Sequence, residues 1–425
     1  MATSETANAA AAGTANGALQ DEKQSGAAAG PLKLPIRFPT PSSIPPPRPT
    51  LTEAQEAKYR WLLNEAKTWT EIVCPPAAHN HNHHHNKETD HHDSGDKSGP
   101  LTDDERLWLT RECLLRYLRA TKWHEKEAAK RLLDTLRWRR TYGVETALTA
   151  DYISPENETG KQIILGYDKQ GRVSQYLNPG RQNTDVSPRQ VQHLVYMVER
   201  VIDLLPPGQE TLALLINFKQ SKNRSNTAPG IGTAREVLHI LQTHYPERLG
   251  RALIINVPWV VWGFFKLITP FIDPHTREKL KFNEDMNQYV PSEQLWTEFR
   301  GQLDFEYDHD VYWPALTRLA AEQRAARKAR WIAGGKQIGE LEDYLAGALE
   351  HGVAQTVDQP VEQPVAEQPT AAAASDAAAT TTATESAADG AKVEDLKIDE
   401  LKVKDEGNAA ASALADGTEQ PATTA

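Results

Sequence analysis

The stretch VPWVVWGFFKLITPFIDP, residues 257–274, gathers Trp259, Trp262, Phe264, Phe265, Leu267, Ile268, Phe271 and Ile272, with Lys266 as its one charge before Asp273. A bilayer-spanning helix takes roughly 20 apolar residues, so this segment is too short to cross a membrane. An ordinary surface helix keeps a polar face, and this one does not. It is therefore either sandwiched inside a protein core or laid over something apolar that is not protein.

Its flanks narrow the choice. RALIINVP (251–258) is a near-continuous apolar run ended by Pro258, as a buried strand requires, and DPHTREK (273–279) supplies a dense polar turn. Upstream, TLALLINF (211–218) is a second buried strand, and TAREVLHILQTHYPERLG (233–250) a helix stopped by Pro246 and Gly250. Strand, helix and strand at this spacing predict a right-handed βαβ crossover in a mostly parallel α/β sheet. KQIILGYDKQGRVSQYLNP (161–179) predicts two short strands around an Asp-Lys-Gln-Gly turn. An amphipathic helix begins at Ser187-Pro188. From Leu101 to Val144 the apolar spacing suits two or three packed helices, opened by a capping box of Thr102 and Glu105. Another helix is expected within Thr52–Val73, and further helices run from Pro314 toward Gly352.

Composition bounds the rest. The chain has 425 residues and a formal net charge of −11, of which −10 falls between Gln355 and Ala425. The remainder lacks the broad basic excess of a nucleic-acid binder. Cys74 and Cys113 are the two cysteines, so no disulfide framework is expected. No run of eighteen apolar residues and no secretory leader is present, and we expect a soluble, cytoplasmic monomer. Seven of the fourteen histidines lie between His79 and His92, but their spacing matches no structural metal site. The arginines and Lys328 of the helix after Pro314 are read as a solvated basic face, with contact to anionic lipid as the alternative.

Catalytic patterns fail one by one. Neither a G-x-S-x-G elbow nor a phosphate-binding G-x-x-x-x-G-K-[ST] loop occurs. PGIGTAR (229–235) puts Arg235 where a dinucleotide loop has its third glycine, and a polar stretch separates it from the preceding strand. Scattered carboxylates and histidines form no nucleophile, base and orienter set. We therefore expect neither a catalytic residue, a metal nor a cofactor.

The motifs LLRYLRATKW, YPERLGRALIINVPW and FIDPHTREKL, in that order within about Leu101–Leu319, resemble the CRAL-TRIO lipid-binding family, specifically its fungal phosphatidylinositol-transfer branch. LDFEYDHDVYWPAL (303–316) resembles the subgroup linked to azole resistance in fungi. The resemblance implies a helical N-terminal lobe, then an α/β lobe whose sheet floors an apolar cavity. Residues Trp259, Trp262, Phe264, Phe265 and Phe271 would form a gate helix over it. It further implies exchange of single lipids between membranes without covalent chemistry. Carried over by motif, the headgroup-binding residues are Glu247 and Lys279, with Thr276 contacting the phosphate. From the residues alone, a salt bridge to Arg248 remains open for Glu247. Thr121 replaces a family arginine, leaving Lys122 and Arg119 as substitutes.

Leu212 and Leu214 line the expected cavity where phosphatidylcholine-binding members carry hydroxyls, which makes phosphatidylcholine a poor ligand and a sterol an acceptable one. The expected organisation is a disordered segment over 1–50, a helix in 51–74, a His-rich insert over 75–100, and a helical lobe over 101–150. The lipid-binding domain follows over 151–306, then C-terminal helices over 307–352 and a disordered acidic tail over 353–425. The expected partners are phosphatidylinositol, a sterol and, transiently, a membrane surface. The resemblance points to lipid droplet, endoplasmic reticulum or cell periphery. A sterol carrier with a purely structural Glu247 and Lys279, a scaffold using the acidic tail and PPPRP (45–49), and a lipid-modifying enzyme are the alternatives.

Overall fold

Three apolar stripes build the helical lobe. In the computed structural model, which describes residues 30–74, 97–219, 231–268, 272 and 274–356, Tyr59, Leu62 and Ala66 of α1 (Glu53–Lys67) are buried at helical spacing. They pack with Leu114, Tyr117 and Leu118 of α3 (Arg111–Ala120) and Ala128, Leu132 and Leu136 of α4 (Glu125–Tyr142). Thr102 and Glu105 form the expected capping box on α2 (Asp103–Trp108). The helix expected in 51–74 ends at Lys67, and β1 (Glu71–Ile72) then pairs with β2 (Gly99–Pro100). Residues 75–96, with all seven clustered histidines, lie outside the described residues. Cys74 and Cys113 are both buried, as thiols rather than as a disulfide.

After α5 (Ala150–Asn157) the sheet begins. Its strands β3 (Gln162–Tyr167), β4 (Val173–Leu177), β5 (Leu212–Asn217), β6 (Leu249–Ile255) and β7 (Leu280–Phe282) lie side by side in chain order. The first pair is antiparallel and the other three are parallel. A bulge interrupts β3 at Gly166, whose φ of +70° and closeness to Gln294 exclude a side chain. The crossovers are α6 (Pro188–Leu204), α7 (Ile231–His244), and α8 (Trp259–Ile268) with α9 (Pro274–Glu278). Right-handed crossovers between strands in sequential order put all these helices on one face. Tyr176 on the other face is covered by Trp296 and Phe299.

Gly250 does not end α7, as the sequence reading had it; the helix stops at His244 and Gly250 lies within β6. Glu247 turns the chain with a φ of 59°, and a Cβ on Gly250 would collide with Arg172.

The largest departure from expectation is at the ends. Residues 31–50, expected to be disordered, form a strap across the domain. Leu32 donates its N–H to Asp304 O and accepts from Glu306 N, while Leu32 and Ile36 pack on the main core. A Pro-rich segment with no core of its own is ordered by contacts with residues far along the chain. Arg48 makes a two-pronged bond to Asp343 at 2.6 and 3.0 Å and stands 3.5 Å from the buried Glu112. This is the arginine of PPPRP, so that motif is committed within the protein, and of the two elements of the scaffold reading there remains the acidic tail, which beyond residue 356 lies outside the described residues. Arg48→Met leaves Glu112 with a weaker counter-charge. Because Arg48 is partly exposed, we expect a loss of about 2–3 kcal/mol in denaturant unfolding, together with protease cleavage within 31–50.

The long helix α10 (His309–Ala333) also departs from its reading. Three of its cations are held by protein, although Arg318 stays exposed: Arg324 pairs with Asp203, Arg327 donates to the carbonyls of Ile202 and Leu205, and Lys328 pairs with Asp104. Two short helices follow, α11 (Glu342–Leu345) and α12 (Val353–Thr356). The described fold thus runs four residues into the segment expected to be tail.

Candidate functional site

Strand register decides what the helix-covered face presents. One row across the sheet is Ile164, Gln175, Leu214, Ala252 and Leu280; the next is Gln162, Leu177, Ile216, Ile254 and Phe282. Leu214 and Ile216 lie on the central strand, where a filled core would bury them, yet both are partly exposed. Leu177, Leu280 and Phe282 are also partly exposed. An apolar floor is thus incompletely covered by protein.

Helix α8 closes part of it. Val261 is buried, and Phe265 packs edge-on against Phe218 and Phe282. Trp262 lies over the Phe282 ring at 4.8 Å, whereas Trp259, 84% exposed, projects from the helix start. The helix is neither core nor ordinary surface: one side lies on the sheet and the other offers aromatic rings to the outside. Phe271 and the side chain of Phe264 lie outside the described residues. Asn256, with a left-handed φ of 54°, starts the turn into α8 and donates to Asn217 Oδ1 at 2.8 Å. Of the two leucines expected in the cavity, Leu214 borders this apolar layer, while Leu212 belongs to the main core beside a register shift.

Two polar residues meet at the start of β6 and β7. Lys279 Nζ stands 3.9 Å from Glu247 Oε2, both partly exposed. Arg248 turns away and donates to Glu210 O, so Glu247 pairs with Lys279 rather than with Arg248. Thr276 lies one helical turn before Lys279 and accepts its N–H. The other expected cations are not brought to the pair. Arg119 is held by Glu210 at 3.0 Å, which Arg116 also grips, and Lys122 is exposed beyond the end of α3 with no ion pair among the described residues. Thr121, at the position of the family arginine, is buried and its hydroxyl donates to Tyr117 O.

The sequence reading missed Arg131. From α4 it donates to the carbonyls of Gln242 and Thr243, closing the end of α7, and its charge interacts with Glu247. No motif marks it, because the contact joins residues over a hundred positions apart. His244 stacks on Trp138 at 4.1 Å, and burial lowers its pKa to about 3, so it stays neutral beside the site. No group of three metal-ligating side chains occurs among the described residues.

Comparison with known proteins agrees with this architecture. The CRAL/TRIO N-terminal domain matches residues 58–134 and the CRAL/TRIO domain residues 157–301. The phosphatidylinositol transfer protein PDR17 of Saccharomyces cerevisiae is 44% identical over 254 residues, 58% of this chain and 72% of that protein. The chain belongs to the CRAL/TRIO family. A CRAL-TRIO domain-containing protein of Schizosaccharomyces pombe is 53% identical over 323 residues, which is 76% of this chain but 30% of that relative. The SEC14 cytosolic factor of Candida glabrata is 26% identical over 215 residues, 45% of this chain and 71% of that protein. In this CRAL/TRIO chain no described helix is long and apolar enough to cross a membrane.

Proposed function

We propose that this protein carries single phosphatidylinositol molecules between membranes, as a monomer and without covalent chemistry. The observation that carries this is the partly uncovered apolar floor under α8 with the Glu247–Lys279 pair at its edge. Acyl chains require the first and an inositol phosphate headgroup the second. A phosphodiester takes a cation, and ring hydroxyls donate to a carboxylate. Before loading, the two side chains neutralise each other across 3.9 Å; the headgroup would enter between them, phosphate toward Lys279 and hydroxyls toward Glu247. Thr276 would add a hydroxyl donor to the phosphate. The names of PDR17 and its phosphatidylinositol-transfer relatives support the same substrate class.

Exchange needs a route through α8. Moving acyl chains from a bilayer into an apolar cavity trades one apolar surrounding for another, so no energy source is required. Trp259 and Trp262 would rest in the membrane–water interface while the helix opens, giving a transient peripheral contact.

Leu214 and Ile216 offer no hydrogen bond to a phosphocholine group, so phosphatidylcholine is expected to transfer at least tenfold more slowly than phosphatidylinositol. The cost of an unpartnered polar group underlies this figure. Vesicle transfer with each labelled lipid tests both statements. Comparable rates would sink the selectivity, and transfer of neither lipid would sink the function. The same apolar floor is compatible with a sterol as a competing cargo.

A further inference from the structure

The strap over 31–50 ends in a buried cluster of charge. Arg48 meets Glu112 on α3 and Asp343 on α11, and its Nε stands 3.7 Å from Glu210, just before β5. Glu112 is the odd member. Its side chain is 1% exposed, Oε2 accepts the Glu342 N–H at 2.8 Å, and Oε1 has no hydrogen-bond donor among the described residues. Arg48 at 3.5 Å and Arg111 at 3.7 Å stand near it, both partly exposed. The other arginines are committed elsewhere: Arg116 to Glu342 and Glu210, Arg248 to the Glu210 carbonyl, and Arg327 to the carbonyls of Ile202 and Leu205. Tyr59 on α1, which feels both Glu112 and Glu340, stays a neutral phenol. A carboxylate so buried, with a second carboxylate beside it, favours its neutral form. Against burial, Arg116 and Arg248 hold Glu342 at about 2, so the proton goes to Glu112. Burial first, and the Glu342 charge second, push the Glu112 pKa up to about 7.

We propose that Glu112 is a proton-operated latch for the strap: as the neutral acid it lets the strap, α3 and α11 close on one another, and as the carboxylate it loosens that junction. Once ionised, Glu112 is stabilised by water, and the strap is the element that can yield to admit it. Arg48 lies near the end of a Pro-rich segment with no core of its own, and its side chain is already partly exposed. With Glu342 and Asp343 it also borders a polar cavity of about 20 Å³, room for about one water. The sign follows from the upward shift. Closure is favoured fully below the ordinary carboxyl range near 4.5, and that contribution is lost as pH rises through about 7. Nothing in this device depends on which lipid the protein carries.

The test is hydrogen exchange of the full chain, read by mass spectrometry over a series from about pH 5.5 to about pH 9 and corrected for the intrinsic rate at each pH. It measures the open fraction of residues 31–50 and of the segment holding the Glu342 amide. If opening returns Glu112 to an ordinary carboxyl, the open fraction rises about tenfold across the series, with its plateau above about pH 7. Segments in β5 and β6 are the internal control and should not follow. Glu112→Gln, uncharged throughout, should keep a low open fraction at every pH. Arg111→Gln removes a partly exposed counter-charge from Glu112, so the plateau should move to higher pH, a displacement that a merely structural arginine would not give. This second variant keeps the test alive if the first does not fold. No rise in the unmodified protein, a rise that survives in Glu112→Gln, or an unmoved plateau in Arg111→Gln would each overturn the latch.

Discussion

Reversing the charge at Lys279 is expected to strip the protein of phosphatidylinositol, lowering apparent affinity by roughly tenfold to a hundredfold. A hydrogen bond to a charged group contributes about 1.5–3 kcal/mol, and each 1.4 kcal/mol is a factor of ten. Lys279→Glu would also set two carboxylates side by side, because Glu247 is its neighbour at 3.9 Å. Both side chains are partly exposed, so their mutual pair adds little to folding and the variant should melt close to the parent. Sterol binding, if the cavity takes a sterol, should survive, because the change lies at the sheet edge. Retained phosphatidylinositol loading in Lys279→Glu would leave the pair a surface feature and favour the sterol-carrier alternative.

The largest effect on stability is expected between the two lobes. Arg139 on α4 is buried and bonds both oxygens of the buried Glu199 on α6, at 2.8 and 3.2 Å, and Tyr245 donates a third bond at 2.6 Å. Burial by itself would raise the Glu199 pKa; the guanidinium and the phenol outweigh it and hold the carboxyl at about 2. Arg139→Met leaves a buried carboxylate with only the half-exposed Arg324, 3.9 Å away, as a counter-charge, and we expect a loss of about 3 kcal/mol in denaturant unfolding. Arg139→Met with Glu199→Met should recover much of that loss. The pH dependence follows from the direction of the shift. A folded pKa below the unfolded value stabilises above about pH 4.5, and that contribution drains away as pH falls toward 2. The parent should therefore lose stability across this window, whereas the double variant should lack the Glu199 part of the slope. Equal acid sensitivity in both would place the titrating group elsewhere.

How far the sequence could be read depended on where each contact comes from. Helix α8 and strands β5 and β6 were legible because apolar runs of strand and helix length leave few alternatives, and the parallel crossover followed from their spacing. Glu247 and Lys279 came from the family resemblance, and the register of β6 and β7 brings them together. Lys122 and Arg119 stood in for the arginine that Thr121 replaces in LLRYLRATKW, but Glu210, 91 positions beyond Arg119, draws that guanidinium away. The strap over 31–50 was illegible because its composition is that of a disordered tail, and its order derives from Asp304, Glu306 and Asp343. The basic face of α10 misled for the same reason, since Asp203 and Asp104 are far off in the chain.

The most direct measurement is native mass spectrometry of the full chain after incubation with vesicles containing phosphatidylinositol, phosphatidylcholine and a sterol. The unmodified protein is predicted to retain one phosphatidylinositol, and a Glu247→Ala, Lys279→Ala double variant none. Phosphatidylinositol on both proteins alike, or on neither, would contradict the assignment of this pair as the headgroup site.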